Sequence, residues 1–522
     1  MLDINVCEVL AQTMLAIGIS CNYGQPIQAH QAEPVQKEAA THRCSGIGGS
    51  AGLCQKKDGV PDLDKRSQMR EARNLENNAH TPYGTIMQTV TVTTNTGSTH
   101  EVPVANPFAL LWTSVDGSPK LKALFLEKLT VHPSSLESPW HLVLYSDEVT
   151  PGNVLAFMNV RKFQAVYFSF LELGATALSH EESWWCVLVE FSKVINDLSA
   201  MMSQMFAKIL KLFFNPEGNH LTNTGVLLPV TEDGLRLFAV LGAFLQDGGA
   251  HKSTWHCRGD GASKPCLLCK NLFTESSNVC DEDGTKLLRC NVIKKADLVK
   301  ATSRDLRRSA RYLESQVGTM SLADFTELQQ ALGITHHQHS LLLDRSLDEI
   351  VDPSDAYLHD WQHGLFVDGV VAITVYLLFE EFIQSGKRDI YQEFSCYIQL
   401  WSWPGRLHIS KLHQICSRGK QDKHREAQHI KCQASDMLSL MGVLAVFTHQ
   451  VLLNGYKICT DACNAFLALA DVVDFIISAP RAHVEPSSLD NLVERFLELF
   501  VHAFGFEWMT PKFHWLLTLG SI

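Results

Sequence analysis

The chain has 522 residues, and its 46% hydrophobic and 19% charged content is typical of a globular protein with about two to four domains. Its net charge of −12 argues against a protein that binds nucleic acid over its whole surface, because such proteins are usually basic. Local basic faces are compatible with this charge. The 15 cysteines lack the close spacing of a secreted framework, and the first twenty residues lack a basic signal region, so we expect a reducing intracellular compartment.

The N-terminal part of the chain gives little sign of a packed core. Residues 1–20 predict one short amphipathic helix, and residues 21–82 form a polar tract without hydrophobic periodicity that we expect to be disordered. Strand-like and helix-like patterns begin at residue 83 and alternate through residue 275. This alternation predicts an α/β core over residues 83–275.

Two apolar segments of this core each end on an acid. Trp140–Tyr145 alternates in hydrophobicity as a strand does, and Asp147 follows it before a Pro-Gly turn. Leu237–Leu245 is apolar and leads to Asp247 and two glycines. Because α/β sheets present functional groups at the carboxyl ends of their strands, both acids are candidate metal ligands at such an edge. An acid that only caps a turn is the alternative for each.

The segments between the two acids define the order of elements. Phe163–Leu171 and Trp184–Phe191 are rich in β-branched and aromatic residues, which predicts two strands. Ser192–Phe214 has the periodicity of an amphipathic helix. The predicted order is therefore strand with acid, strand, strand, helix, strand with acid.

A Cys-x-x-Cys motif, Cys266 and Cys269, follows the second acid in a loop that contains glycine and proline. This spacing is typical of zinc ligands. We expect His363 as the third ligand and Asp360 as the fourth, which would make a closed, structural Zn²⁺ site. Ligands nearer in sequence would be His256, Cys257 and Cys280. A pair of buried free thiols is the interpretation without metal.

The remaining chain is predominantly helical in pattern. Residues 276–350 predict a charged connector, and residues 351–522 predict a helical region. Each contains a basic stretch, at residues 294–311 and 406–431, which is either a solvated helix face or a contact for phosphates. The apolar segment Met437–Leu453 is short for a membrane span and contains polar residues, which favours a buried helix.

Several of these segments together resemble eukaryotic cut-and-paste transposases of the DDE class, of the CACTA and Plavaka types. The segments are Asp147, Asp247, the Cys-x-x-Cys motif, Asp360-x-x-His363 and Pro511–Leu517. The resemblance covers residues 83–522. It implies an α/β fold in which a ribonuclease-H-like mixed sheet carries a large all-helical insertion between the second and third acids of its site.

The resemblance also implies roles for these residues. Asp147 and Asp247 match the first and second acids, which bind catalytic Mg²⁺ or Mn²⁺. The two cysteines and the Asp360-x-x-His363 pair match recurrent markers of these families, the residues assigned above to Zn²⁺.

The third acid of these families follows the segment that resembles Pro511–Leu517. No counterpart is found before Ile522, so we expect the chain to be truncated within the returning part of the core and its catalysis to be impaired. Glu380 and Glu381 could be proposed as substitutes, but their position beside Asp360-x-x-His363 favours residues of an insertion helix.

Two functions follow from this reading of the sequence. The first is a transposase-derived protein whose ancestral reaction is metal-dependent DNA strand cleavage and transfer. For this protein we expect a nuclear location, DNA as the partner and no association with a membrane, and the sequence is compatible with a homo-oligomer. The second is a non-catalytic module for nucleic-acid or protein interaction that retains the scaffold. An unrelated α/β hydrolytic enzyme is less favoured because the chain has no nucleophile motif.

Overall fold

A computed structural model describes residues 80–150, 162–259, 261–274, 277, 292–403, 412–479 and 485–519. The helix expected over residues 1–20 lies outside these described residues, as does almost all of the polar tract 21–82. Cys280 and the first part of the second basic stretch, residues 404–411, lie outside them as well.

The β-structure of the described residues comprises one five-stranded sheet and three two-stranded antiparallel sheets. The small sheets pair β1 (His80–Thr81) with β2 (Gly84–Thr85), β3 (Met87–Thr93) with β4 (Thr99–Ala105), and β8 (Val226–Leu228) with β9 (Leu235–Leu237). The large sheet contains β5 (Trp140–Val149), β6 (Phe163–Phe170), β7 (Trp185–Phe191), β10 (Ala239–Gln246) and β11 (Tyr357–His359).

The strand order of the large sheet is β7-β6-β5-β10-β11. Strands β5, β6 and β7 pair antiparallel in sequence order, whereas β10 lies parallel to β5 on its other side and β11 lies parallel to β10. The sheet is therefore mixed and the chain belongs to the α/β class, as the sequence predicts.

Residue chemistry explains the interior position of these strands. β10 has a strand on either side, and its residues Ala239–Gln246 are almost continuously apolar, as expected for a parallel strand buried on both faces. β6 contributes aromatic side chains to a buried ring cluster. Phe168 lies 5.4 Å from Trp185 and Phe170 lies 6.0 Å from Trp140, measured between ring centroids. Such pairs stabilise a sheet beyond the burial of their area.

Helices of the sheet region precede and follow its strands. They are α1 (Pro107–Gly117), α2 (Pro119–Val131), α3 (Gly174–Leu178), α4 (Ser192–Asn196), α5 (Met201–Phe213), α6 (Gly248–Trp255), α7 (Ser303–Gln316), α8 (Leu322–Leu332) and α9 (Pro353–Ala356). The single helix expected over Ser192–Phe214 is two helices, α4 and α5. On α5, Phe206 packs against Phe244 of β10 with ring centroids 5.0 Å apart, so this helix covers the sheet.

Helices of the second region follow β11. They are α10 (Trp361–Phe366), α11 (Val370–Gln384), α12 (Ile390–Gln399), α13 (Arg418–Ala427), α14 (Ala434–Phe447), α15 (Thr460–Ser478), α16 (Pro486–Phe504) and α17 (Pro511–Leu519). The long helices α15 and α16 pack against each other, and α17 packs against both α10 and α16. The helix α14 continues into a π-helical segment, Thr448–Tyr456.

Buried apolar side chains form two cores, one around the sheet and one inside the helical region. Cys266 and Cys269, which follow α6 in sequence, belong to the core of the helical region. The loop that carries them is also paired to the connector, since the N–H of Lys270 donates to the carbonyl of Val299 at 2.8 Å. This loop therefore extends from the sheet into the helical region.

The helical region begins later than the sequence predicts. Tyr357–His359, expected inside the helical region 351–522, is the fifth strand of the sheet and pairs with Phe244–Gln246. A strand of three residues is too short to show an alternating pattern, and the helices α9 and α10 flank it directly. The boundary expected at residue 351 therefore moves to the end of β11.

One helix in the described part of the chain, Ala434–Tyr456, is long and apolar enough to span a membrane by length and composition. A core helix passes the same test, and 44% of its apolar window is buried. Met437, Leu440, Leu444 and Phe447 contribute to the core of the helical region. This packing agrees with the expectation of a buried helix.

Candidate functional site

Two of the predicted acids lie at matching positions on adjacent strands. Tyr145 of β5 is the register partner of Leu245 of β10. Asp147 and Asp247 each follow two residues later, so the register places them side by side at the carboxyl edge of the sheet. Both residues are partly buried. The two acids therefore lie on adjacent parallel strands, and their role as metal ligands stays a prediction.

A third acid continues this row. Gln246 of β10 is the register partner of His359 of β11, and the next residue on each side is Asp247 and Asp360. Because neighbouring strands lie about 4.8 Å apart, continuation of these registers places the backbones of three aspartates in one row across β5, β10 and β11. We call Asp147, Asp247 and Asp360 the acidic edge. The sequence assigns Asp360 to a zinc site, whereas the structure places it in this row.

Two members of the acidic edge also begin helices. Asp247 is the N-cap of α6, and its Oδ1 accepts from the N–H of Ala250 at 2.6 Å. Asp360 is the N-cap of α10 and accepts from the N–H groups of Gln362 at 2.8 Å and His363 at 3.3 Å. The capping interpretation therefore applies to both. It does not exclude metal binding, since a carboxylate offers about four lone pairs.

The first acid lies inside a strand and not at a strand end as the sequence predicts, because β5 continues to Val149 in pairing with β6. Asp147 accepts a hydrogen bond from the hydroxyl of Tyr145 at 3.2 Å, which places both side chains on one face of β5. The adjacent Glu148 faces the other way and contacts Lys162 at 2.6 Å and Ser192 at 2.9 Å. Glu148 is therefore separate from the acidic edge.

His363 lies at the acidic edge, in direct contact with Asp360 through Nδ1. Burial lowers the pKa of His363, but the hydrogen bond and charge of Asp360, together with the charge of Asp247, outweigh it and raise the pKa. Lys512 of α17 opposes this shift. Its ammonium donates to the carbonyl of Val367 at 2.6 Å. The acids, the imidazole and the ammonium thus share one electrostatic environment.

A second constellation contains cysteine and histidine. The Sγ of Cys266 and ring nitrogens of His359 and His514 all lie within 4.8 Å of one another, and all three residues are buried. Cys269 is hydrogen-bonded to Cys266 and is fully buried. We call Cys266, Cys269, His359 and His514 the Cys/His cluster. It joins the loop after α6, the strand β11 and the helix α17.

The two thiols of the Cys/His cluster differ in proton affinity. The hydrogen bond with Cys269 lowers the pKa of Cys266 well below its usual range, against the effect of burial, and the charge of His514 adds to the lowering. The same hydrogen bond and burial raise the pKa of Cys269.

The histidine ligands expected from the sequence differ from those in the structure. His363 and Asp360 were expected next to the cysteines, but the cluster contains His359 and His514 instead. Successive residues of an extended chain face opposite ways, so His359 and Asp360 diverge. His359 shares its register with Gln246, whose amide donates to Ser146 on the buried side at 2.7 Å.

Two of the three alternatives nearer in sequence lie within the described residues, and both are engaged elsewhere. The thiol of Cys257 is hydrogen-bonded with Tyr357, and burial raises its pKa to about 12. The ring of His256 stacks on His337 with centroids 4.0 Å apart. Sequence reasoning missed His514 because it is a single histidine among largely apolar residues, and it passed over His359 in favour of the adjacent Asp360-x-x-His363 pair. The signal that could have found His514 is the Pro511–Leu517 segment itself, already singled out as a motif.

The first basic stretch divides into paired and exposed groups. Lys295 pairs with Asp490 of α16 at 2.7 Å, which attaches the connector to the helical region. Arg307 and Arg311 both contact Asp348. Other residues of α7 line an open groove of about 600 Å³ with them, namely Arg304, Arg308 and Tyr312. These three residues are exposed and recur every fourth position along the helix.

The second basic stretch is described only from residue 412 onward. Arg425 of α13 contacts Glu380 of α11 at 3.4 Å, and the ring of His424 is buried with its Nε2 within 2.9 Å of the carbonyl of Ile415. These groups hold helices together. Glu380 therefore makes a contact between two helices of the helical region, in agreement with its interpretation from the sequence as a residue of an insertion helix.

No protein-family model matches the chain, and no curated protein sequence matches it. The functional argument therefore depends on the sheet, the acidic edge and the Cys/His cluster.

Proposed function

We propose that this protein is transposase-like, with a ribonuclease-H-like core that performs metal-dependent cleavage and transfer of DNA strands at the acidic edge. The observation that carries this proposal is the register of β5, β10 and β11, which aligns Asp147, Asp247 and Asp360. The strand order supports it, because the strands that bear the first and second acids are separated by two strands and a helix in sequence yet adjacent in the sheet.

The acidic edge fits hard divalent cations. Mg²⁺ and Mn²⁺ prefer carboxylate oxygens, and the neighbouring carboxylates lie on strands about 4.8 Å apart. Asp147, Asp247 and Asp360 would hold the metal. When bound, a pair of such ions activates the attacking oxygen and stabilises the leaving oxygen of a phosphodiester. Asp360, the residue after β11, would supply the third carboxylate that the resemblance places beyond Pro511–Leu517.

The remaining groups at the edge have positioning roles. His363 holds Asp360 through its side chain, and the N-caps fix Asp247 and Asp360 against their helices. In strand cleavage, a water oxygen would form the new bond to phosphorus while the bond to the 3′-oxygen breaks. In strand transfer, that 3′-hydroxyl becomes the attacking group. The acid row must therefore be rigid, and strand ends and N-caps provide that rigidity.

The groove on α7 supports DNA as the substrate. Arg304 and Arg308 can contact phosphates, and Tyr312 offers an exposed ring on which a base can stack. The N-terminus of α7 is attached to the segment that enters β11, since the hydroxyls of Ser303 and Ser354 lie 3.0 Å apart. The groove and the third strand of the acidic edge are therefore mechanically connected.

A second candidate is DNA binding without cleavage. Among the described residues, one group of three side chains has its potential metal-binding atoms within 4.8 Å of one another. It consists of Cys266, His359 and His514. The carboxylates of the acidic edge are not gathered to that degree, and two of them serve as N-caps. This observation favours a scaffold that binds DNA through the α7 groove and no longer closes a metal cage.

The experiment that separates the two candidates measures nicking and strand transfer on supercoiled DNA with Mg²⁺ or Mn²⁺. Asp247→Asn is the informative variant, because asparagine keeps the N-cap of α6 while removing the negative charge. Asp233→Asn, at an exposed acid between β8 and β9, is the matched control. Metal-dependent cleavage that is lost only in Asp247→Asn supports the enzyme. DNA binding without cleavage in the unaltered protein supports the second candidate.

A further inference from the structure

We infer that the Cys/His cluster is a structural zinc site whose four ligands are Cys266, Cys269, His359 and His514. This site is independent of the proposed function, which uses oxygen ligands at the acidic edge. Its starting observation is that one sulfur and two ring nitrogens from three separate elements lie within 4.8 Å of one another. Cys269, hydrogen-bonded to Cys266, supplies the fourth ligand.

Unpartnered nitrogens point to a ligand at this place. Both ring nitrogens of His514 and the Nε2 of His359 are buried and make no hydrogen bond of normal geometry among the described residues, and both rings interact with the thiol of Cys266. His514 is 0% exposed and His359 is 5% exposed. Buried polar atoms are almost always paired, because an unpaired group loses its hydration without compensation. A metal ion would engage one nitrogen of each ring.

The position of His359 is fixed before any metal binds. Its backbone is part of β11, and its ring stacks on Trp515 with centroids 4.6 Å apart and planes at 15°. The ring of His514 meets His359 edge-on, with centroids 6.3 Å apart. The two imidazoles are thus held in different planes, and the Sγ of Cys266 lies within 4.8 Å of a nitrogen of each ring. That arrangement suits ligands that surround one ion.

The chemistry of the ligands selects the metal. Thiolates and imidazoles bind zinc in tetrahedral sites, whereas magnesium and calcium require oxygen. Cys266 and Cys269 have the two-residue spacing that is frequent in structural zinc sites. Four protein ligands leave no open position, so the ion would not take part in catalysis. It would connect the loop after α6, the last strand of the sheet and α17.

The test measures zinc in the purified full-length protein after growth with added zinc. We expect one zinc per chain in the unaltered protein and in two controls. Cys463→Ser alters an equally buried thiol of the helical region, and His363→Gln alters the histidine at the acidic edge. We expect at least about a tenfold loss of zinc affinity in Cys266→Ser and in His514→Asn.

A second measurement protects the inference if these variants fold poorly. Cobalt substituted into the unaltered protein should give the intense visible absorption of a tetrahedral site together with a thiolate charge-transfer band. Cys269→His exchanges one zinc ligand for another, and we expect it to retain metal with an altered cobalt spectrum. Absence of zinc and of a tetrahedral cobalt spectrum in the unaltered protein would overturn the inference, as would full zinc content in both Cys266→Ser and His514→Asn.

Discussion

The end of β11 separates two environments that differ in burial and in the chemistry of their potential metal ligands. His359 faces a buried cluster of sulfur and nitrogen, and the next residue, Asp360, joins a partly exposed row of carboxylates. The Cys/His cluster joins distant parts of the chain, whereas the partly buried residues of the acidic edge lie within β5 and directly after β10 and β11. The difference teaches that two adjacent residues can serve one soft structural site and one hard reactive site, because a strand alternates its faces.

The largest expected effect tests the Cys/His cluster. Removal of zinc by a chelator, or by Cys266→Ser, should lower the melting temperature by at least about 10 °C, since zinc binding contributes about 10–16 kcal/mol in small zinc domains. Scanning calorimetry of full-length protein measures this. Cys463→Ser serves as the control for loss of a buried thiol. An unchanged transition after complete chelation would remove the structural role from the cluster.

The next effect tests the acidic edge. Asp360→Asn keeps the N-cap of α10 but removes a charge, and we expect it to slow metal-dependent nicking by about 100-fold or more. His363→Gln should slow it less, by about tenfold, because the histidine acts through Asp360. Both variants should retain zinc. Loss of zinc in Asp360→Asn would mean that the two environments are not separate.

A smaller effect concerns the groove on α7, which we propose binds the DNA that is cleaved at the acidic edge. Arg304→Ala and Arg308→Ala should each weaken DNA binding at all sequences and reduce the slope of log affinity against log salt by about one. Binding measured by fluorescence anisotropy over a salt series checks this. Lys120→Ala, an exposed ion-paired lysine on α2, is the control. Unchanged slopes in both arginine variants would place the phosphate contacts elsewhere.

The smallest effect comes from an acid–histidine pair remote from both environments. A hydrogen bond that the His141 imidazole donates to the Glu172 carboxylate raises the pKa of His141. The pair therefore stabilises the fold fully below about pH 6.5 and loses this contribution as pH rises through the higher folded-state pKa. His141 is 44% exposed, which limits the effect to less than about 1 kcal/mol. Urea unfolding at acidic and alkaline pH measures it. Glu172→Gln should flatten the pH dependence, and His100→Gln should not.

The sequence predicts the acid row better than the ligands of the cluster. Asp247 follows an apolar segment of strand length, and local pattern alone places it at a strand end. The same reasoning ended the first strand too early, because β5 continues past Asp147 to Val149. That the two strands are neighbours was implied by the resemblance to a ribonuclease-H-like fold. Asp360 escaped this reasoning because β11 has only three residues. Its place in the row depends on long-range pairing, which no local pattern reveals.

The proposed ligands of the Cys/His cluster could be predicted from the sequence only in part. The Cys-x-x-Cys spacing is a local signal and identified Cys266 and Cys269. The histidines are brought in by tertiary packing, and an isolated histidine in an apolar segment looks like an ordinary core residue. The Asp360-x-x-His363 pair was the more conspicuous motif, yet the face of the chain on which a residue lies decides which site it joins.

The packing of α17 against α10 and beside β11 has a consequence for synthesis of the chain. In the sequence, nearly the entire helical region separates His514 from His359. The two rings can therefore meet only after that region has been synthesised and has folded back onto the sheet. Contacts between residues so distant in sequence form late, because loop closure precedes them. Metal uptake would therefore report completed assembly: nascent or proteolysed chains lacking α17 would carry two cysteines and one histidine, and would exchange zinc readily.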